Sequence, residues 1–276
     1  MKTKKFSIAK VIVNILLIIG IVAVSFPFVW MILSSVKSTA DFYSFSFWPK
    51  SLDFSGYQYV FEKTDFTRWY LNSFIVAIVV TISNIIFCSL IGYTLAKFRF
   101  TGAKLIFLII LSTMMIPTEM LIIPWYVFSS DFQWVDTYWG LIFPGLMEAF
   151  GIFLMRQFML SVPEDILDAA RIDGMGEFKI WLKIAMPQVK PAISALAIIT
   201  FLGNWNAYLW PVIVTNTAAM RTLPVGIAMY GTSDAGGIQW NTIMAMSSLT
   251  VIPMIIVFLI FQRQIVEGIA LSGTKG

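Results

Sequence analysis

The sequence predicts an all-α polytopic membrane protein with six transmembrane helices, both termini cytoplasmic, and a charged helical hairpin on the cytoplasmic face. Three observations predict it. Of 276 residues, 58% are hydrophobic and only 12% charged, and the apolar residues are gathered into long blocks, the composition of a chain that sits in lipid. Six of these blocks reach the roughly 20 residues of helix needed to cross a hydrocarbon core about 30 Å thick. Finally, Lys and Arg fall unevenly on the two sides of the blocks, as they do when positive residues resist export.

The predicted spans run over about Val11 to Leu33, Leu71 to Ala96, Leu105 to Phe128, Trp139 to Met159, Ala192 to Val214 and Ile243 to Phe261, and residues 1–276 read as a single transmembrane domain. Met-Lys-Thr-Lys-Lys at the start has the look of a signal peptide. The apolar run behind it is too long for an h-region and offers no small-residue cleavage site, so a retained helix is expected. Fourteen of the 19 Lys and Arg residues lie in the N-terminus, the second loop, the fourth loop and the tail, while Lys37, Lys50, Lys63, Arg68 and Arg221 lie on the opposite side. Both termini are therefore expected in the cytoplasm. The net charge of +4 is a topology signal and gives no support to nucleic-acid binding; membrane lipid is the partner that the composition implies.

The loops differ in character. The first outer loop, Ser34 to Tyr70, is long and carries Phe42, Tyr43, Phe45, Phe47 and Trp48; short interfacial helices are expected there, either as a cap at the membrane surface or as a contact for a soluble partner. The second, Lys97 to Lys104, is short and basic. The fifth, Thr215 to Asn241, mixes Gly, Pro and apolar residues in "TLPVGIAMYGT" and "SDAGGIQW", and is expected to re-enter or lie along the membrane, where protein or water must satisfy its backbone.

The chain has no His, and its single Cys88 falls inside the second span. Disulfides, thiolate–imidazole pairs and Cys/His metal sites are excluded, and no catalytic or metal residues are assigned. Glu119 and Glu148 are the carboxylates within the spans, each either lining a pathway or hydrated near a boundary. An intramembrane hydrolase needs a nucleophile with a base, or paired carboxylates on a metal, and no such constellation is present. In "FLGNWNAYLWP", Asn204, Tyr208 and Pro211 are spaced for one helical face, with Trp205 and Asn206 nearby. Amides and flat rings at mid-membrane suit a hydroxyl-rich solute, and they equally suit helix packing.

The most unusual stretch is "DAARIDGMGEFKIWLKIAMP", Asp168 to Pro187, a dense charged segment between two lipid-soluble runs. From 161 to 187 the signals are those of a hairpin. Ser161 is placed to cap, Pro163 is tolerated in a first turn, and Glu164 and Asp165 sit where the helix dipole favours negative charge. Leu167, Ala170 and Arg171 share a side. Asp173-Gly174-Met175-Gly176 can turn sharply, and a second helix is expected from Glu177 through Ala185, ending before Pro187. Resting on anionic lipid is one reading, but five carboxylates face three cations here, so docking onto a soluble partner is the better physical account. A passive channel would leave this hairpin unexplained.

"PEDILDAARIDGMGEFKIWLKIAMPQVKPA" resembles the EAA signature of binding-protein-dependent ABC importer permeases. Asp168-Ala169-Ala170 stands for the Glu-Ala-Ala triplet, Gly174 for the spaced glycine, and Ile184, Met186 and Pro187 for the closing Ile-x-Leu-Pro. Asp168 shortens the acidic arm, and Met186 is a mild apolar exchange. "NSFIVAIVVT", "LAKFRFTG", "MMIPTEMLIIPWY", "DTYWGLIFP", "FGIFLMRQF", "FLGNWNAYLWP", "TLPVGIA" and "FQRQIVEGIALSGTKG" likewise resemble the carbohydrate importers' six-helix subunit of the maltose G type, from about residue 70 to the end.

The resemblance implies a multi-pass subunit in a bacterial cytoplasmic membrane that imports a carbohydrate, with an oligosaccharide expected and glycerol phosphate or an acidic sugar as the alternative. It implies that the hairpin is a coupling helix seated in a cleft of an ATP-binding subunit, through Asp168, Ala169, Ala170, Arg171, Asp173, Gly174, Ile184 and Pro187. It implies further that the tail, Ser272, Gly273, Thr274, Lys275 and Gly276, reaches between the ATPases. A second homologous permease, two ATP-binding subunits and an extracytoplasmic solute-binding protein are the implied partners. The chain lacks a GxxxxGK[ST] phosphate loop, so no cofactor is expected here, and ATP with Mg is expected on the partner ATPases. Asn204, Trp205, Asn206, Tyr208 and Glu119 are the candidate substrate-pathway residues.

Overall fold

The computed structural model describes residues 8–44, 46–232 and 239–273. In chain order the helices are α1 (Ile8–Ser35), α2 (Thr39–Phe42), α3 (Ser55–Lys63), α4 (Phe66–Lys97), α5 (Ala103–Thr113), α6 (Ile122–Asp131), α7 (Tyr138–Ile142), α8 (Ala149–Met159), α9 (Glu164–Ile172), α10 (Glu177–Ile180), α11 (Met186–Gln188), α12 (Lys190–Trp205), α13 (Leu209–Val214), α14 (Leu223–Thr232) and α15 (Trp240–Gly273). Helix predominates, and no strand occurs among the described residues.

Among the described residues, three helices are long and apolar enough to cross a membrane by themselves: Ile12–Ser35, Phe66–Lys97 and Trp240–Ile260. The other apolar blocks are broken. Ala103–Thr113 meets Thr118–Asp131 at 93°, Tyr138–Gly145 meets Ala149–Met159 at 45°, and Glu177–Gln188 meets Lys190–Trp205 at 86°, each pair apolar enough to pass the same test together. The predicted spans over 105–128 and 139–159 are thus each broken, and the one over 192–214 is broken at 206–208, between α12 and α13. Each of these blocks contains proline, Pro117, Pro144 or Pro211, which lacks an N–H for the helical ladder and stops or bends it.

The chain divides into two compact units. In the first, residues 1–66 with 227–252, the long loop folds as expected into short helices, α2 and α3. Lys37 is buried, its ammonium donating to the Ser46 carbonyl and lying 4.8 Å from the Trp30 ring centroid. Asp41 organises the following turn by accepting from the Lys50 amide at 2.9 Å and from the Ser44 hydroxyl at 2.9 Å. The Lys50 amide leads the contacts that hold this carboxyl below its usual range.

In the second unit, residues 67–226 with 253–276, α4 acts as a central post. Cys88, Tyr93 and Leu95 of α4 join Ile152, Met155 and Met159 of α8 and Ala192 and Leu196 of α12 in one buried cluster. Near its start, α4 pins the fifth loop. The Asn72 amide donates to the Ala219 and Arg221 carbonyls, both at 2.8 Å, and its oxygen accepts from the Tyr138 hydroxyl at 2.6 Å. The Trp69 indole donates to the Ala218 carbonyl at 2.9 Å. Asp136 closes this region from the other side, accepting the amides of Asn216 and Thr217 at 2.8 and 3.0 Å. Burial acts to raise its carboxyl, but those amides and the Thr217 hydroxyl hold it below the ordinary value.

Further along α4, Ser83 and Asn84 meet the break between α7 and α8. The Ser83 hydroxyl donates to the Leu146 carbonyl at 2.5 Å, the Asn84 amide donates to the Gly145 carbonyl at 2.6 Å, and the Asn84 oxygen accepts the Glu148 N–H at 3.1 Å. Backbone that leaves the helix inside hydrocarbon has no water to bond with, and these two side chains supply what the break exposes. Replacing Asn84 with Leu orphans a carbonyl and an amide at once, at about 1–3 kcal/mol for each buried group. Asn84→Leu is therefore expected to lower the detergent-solubilised protein's thermal midpoint and hasten proteolysis around 143–149, whereas Cys88→Ala leaves that cleavage pattern unchanged; paired melting and limited proteolysis check both.

Candidate functional site

Two sites emerge in the second unit. The first is the charged hairpin. α9 does not start as expected, because the Ser161 hydroxyl donates back to the Phe158 carbonyl at 2.7 Å instead of capping, and Pro163 takes the cap position. The acidic first turn is used differently: the Lys97 ammonium, at the end of α4, donates to the Val162 carbonyl at 2.6 Å and to Glu164 Oε1 at 3.0 Å. Gly174 holds φ at +77°, a left-handed conformation that glycine adopts without a Cβ penalty, and the amides of Gly174 and Met175 bond back to Arg171 and Ala170.

The second arm also differs from expectation. It continues through Pro187 to Gln188, with a π-helical stretch over Trp181–Ala185 in which the Met186 amide reaches the Trp181 carbonyl. Pro187 cannot donate to the ladder, and the wider turn immediately before it absorbs the misfit.

The hairpin's underside is apolar. Leu167, Ala170, Ile180, Trp181 and Ala185 are buried in the cluster formed with α4, α8 and α12, and Ile184 packs against it half-buried. Across the top runs an ionic brace. Arg171 Nε donates to Glu177 Oε1 and Arg171 Nη1 to Asp168 Oδ1, both at 2.7 Å, and the Tyr93 hydroxyl of α4 donates to Glu177 Oε2 at 3.0 Å. Arg171 is the main reason that the Glu177 carboxyl lies below its ordinary value, and Glu177 in turn raises the Arg171 guanidinium. Ion pairs this exposed contribute roughly 0–1 kcal/mol each, against about 1.5–3 kcal/mol for burying a side chain such as Leu167 or Ile180. Burial seats the hairpin and the charges orient it.

The residues that the sequence singled out for partner contact divide accordingly. Asp168, Ala169, Asp173, Gly174 and Pro187 are exposed, Arg171 is half-buried within the brace, and Ala170 faces inward with Ile184. Ile172 and Phe178, not singled out, are 86% and 63% exposed; their signal was the pair of apolar residues flanking the glycine turn. Ser272 and Gly273 end α15, and Thr274, Lys275 and Gly276 lie outside the described residues.

The second site is a cleft of about 360 Å³ where the breaks meet. Glu148, Asn204, Thr118, Thr200, Trp125 and Trp210 line it. The two indoles meet edge to face at 5.7 Å, Trp210 Nε1 donates to the Gly140 carbonyl at 2.9 Å, and the Asn204 amide donates to the Thr200 carbonyl at 2.9 Å. The Thr200 hydroxyl is buried without a partner among the described residues. Of the candidate pathway residues Asn204 lines this cleft, and its neighbours do not. Trp205 is fully buried against Tyr70 and Phe201, Asn206 is exposed with its amide on the Leu202 carbonyl, and Tyr208 and the exposed Glu119 lie off the lining. The shared-face spacing of Asn204, Tyr208 and Pro211 assumed a continuous helix. α12 instead ends at Trp205, where two Asn side chains bond back to carbonyls four residues earlier, a competition that favours helix ends.

Apolar helices of membrane-spanning length, several of them broken around a cleft, define a multi-pass helical membrane protein. The chain belongs to the family of the binding-protein-dependent transport system inner membrane component, whose model matches residues 88–270. Among its relatives, the arabinooligosaccharides transport system permease protein AraQ of Bacillus subtilis is 31% identical over 99% of this chain and 98% of the relative, and that of Halalkalibacterium halodurans is 34% identical over 91% of each. The sn-glycerol-3-phosphate transport system permease protein UgpE of Yersinia pestis is 34% identical over 93% of this chain and 94% of the relative. The fold is shared with a chain of a bacterial ABC transporter involved in the import of the acidic polysaccharide alginate, at a TM-score of 0.82 and 24% identity over 95% of this chain and 98% of the other. The protein is a cell-membrane transport permease.

The brace carries a pH dependence with a definite sign. Because the folded-state Glu177 carboxyl lies below its ordinary value of 4.5, its contribution is present above that value and lost as pH falls through the depressed one. Amide protection factors across 164–188, exchange rates corrected for their intrinsic pH dependence, are therefore expected to hold from neutral pH down to about 5 and to fall below that, while Glu177→Gln shows the lower protection already at pH 7.

Proposed function

We propose that this chain is one of two permeases in an ATP-driven, binding-protein-dependent importer of a carbohydrate, with an oligosaccharide as the favoured cargo. It spans the membrane six times, over about 11–33, 71–96, 105–128, 139–159, 192–214 and 243–261, with both termini and the hairpin arm before Val189 in the cytoplasm. The braced hairpin is the observation that carries the coupling assignment: a rigid, sequence-local element seated on three helices transmits a push to all of them. A partner ATPase binds ATP and Mg and grips the hairpin through its exposed turn, from Asp168 to Phe178, while a solute-binding protein delivers the cargo outside. Two ATPases and a second, homologous permease complete the assembly, and the tail from Ser272 reaches toward the ATPases.

The cleft is the proposed passage. Indole faces pack on the apolar face of a sugar ring, and Asn204, Thr118 and Glu148 accept or donate to its hydroxyls. Named relatives of both the oligosaccharide and glycerol phosphate kinds leave an anionic cargo as the second reading. Glu148 speaks for the neutral one, since it is the charged residue on the lining and no cation accompanies it, an arrangement that repels a phosphate or uronate.

Two experiments test these assignments. Ile172→Asp or Phe178→Asp is expected to lose ATPase co-purification and at least tenfold of uptake while membrane insertion is unchanged; normal uptake in both variants would overturn the coupling role. Trp125→Ala or Glu148→Ala is expected to reduce oligosaccharide uptake in proteoliposomes severalfold with ATPase co-purification intact. Unaltered transport kinetics in both would remove the cleft from the pathway.

A further inference from the structure

Beside the hairpin, at the cytoplasmic end of α4, lies a larger cavity of about 750 Å³ that the transport reading does not use. Its walls come from the last turns of α4, the basic second loop, the first turns of α5 and one side of α8. Gly102, at φ +91°, reverses the chain so that Arg99 and Lys104, from opposite sides of the turn, line the same space. Arg156 of α8 lines it as the third cation. Arg156 is preset there: its Nε donates to the Leu95 carbonyl at 3.3 Å, and its guanidinium lies 4.1 Å from the Phe107 ring centroid.

The charge balance is unlike that of the neighbouring hairpin. There each cation of the brace has a carboxylate, Lys97 with Glu164 and Arg171 with Asp168 and Glu177. Here no Asp or Glu lines the cavity, and none of the three cations makes an ion pair among the described residues. The rest of the lining is apolar, including Phe98, Phe100, Leu105 and Leu108. α5 buries none of its residues, with Leu105 and Leu108 62% and 60% exposed, so the cavity opens onto an apolar helix face.

We propose that this cavity binds an anionic phospholipid of the inner leaflet, its phosphate between Arg99, Lys104 and Arg156 and an acyl chain along α5. The ligand must be both anionic and apolar, which separates a phospholipid from a free phosphate or a nucleotide. The loop lies on the side richer in Lys and Arg, facing the leaflet that carries anionic lipid. A lipid seated there lies against α8 and the end of α4, two of the three helices on which the hairpin sits.

The test uses the assembled transporter in nanodiscs of phosphatidylcholine and phosphatidylglycerol, with a photoactivatable form of each lipid and the cross-links mapped by mass spectrometry. Phosphatidylglycerol is expected to label the peptides around 98–108 and 156 in preference to phosphatidylcholine. Each juxtamembrane cation contributes about fivefold in affinity, so Arg99→Gln with Lys104→Gln, both on exposed residues, is expected to cut the labelling on the order of 25-fold. Arg156→Gln is expected to weaken it further and Arg156→Lys to restore it, which separates charge from loss of the Phe107 contact. Equal labelling by the two lipids, unchanged labelling in the triple Gln variant, displacement by millimolar inorganic phosphate, or absence of labelling because the second permease occupies the groove would each overturn the proposal.

Discussion

A backbone that leaves the helical ladder inside hydrocarbon must find every lost hydrogen bond within the protein, and the second unit is arranged around meeting that demand. α4 does most of it. Along one helix, Trp69 and Asn72 bond the carbonyls of the fifth loop, while Ser83 and Asn84 bond the carbonyls and amide exposed where α7 gives way to α8. A long helix makes a good post for this purpose because the backbone of its interior is paired within the helix and its side chains are free to serve others. The broken helices around it are then tolerated, and the breaks are what create a cleft lined with polar groups.

The same logic extends to the C-terminal end of α4. The last turns of α4 carry Tyr93 and Lys97, whose polar ends reach Glu177 and Glu164 of the hairpin. Its apolar residues there share a cluster with Leu167, Ile180 and Trp181. One helix thus touches both the cleft and the hairpin, and a displacement of the hairpin has a rigid element through which to act. In energetic terms the buried underside holds the hairpin, and the exposed charges set its orientation. That division leaves the turn, with Ile172 and Phe178, open to a partner at little cost in fold stability.

Much of this was legible in the chain. The hairpin was readable because its signals are local: an acidic first turn, a glycine-bearing reversal, and apolar residues at helical spacing on one side. The short helices of the first outer loop followed from its length and aromatic content. The breaks were less legible. Pro117, Pro144 and Pro211 were visible, but whether a proline bends, kinks or ends a helix depends on which neighbours can satisfy the freed groups. Asn84 and Ser83, the residues that do so, looked like unremarkable polar positions in an apolar run. Glu148 was weighed as an intramembrane carboxylate, but Trp125, Trp210 and Thr118 join it only because three separated breaks converge. Trp205 and Asn206, adjacent to Asn204 in sequence, turned in other directions once α12 ended.

Composition, block length and charge asymmetry by themselves determined that this is a multi-pass helical membrane protein, and a motif of some thirty residues, read by resemblance, indicated the kind of machine it serves. These properties are summed over many residues or held within one short segment, so no distant contact can alter them. Tertiary structure alone decided where each apolar block breaks, which side chains close the breaks, and which polar residues face the cleft. Those outcomes depend on hydrogen bonds between residues some 60 to 150 positions apart, as from Asn84 to Gly145 and from Asn72 to Arg221, and local sequence carries no record of which distant partner will meet that need.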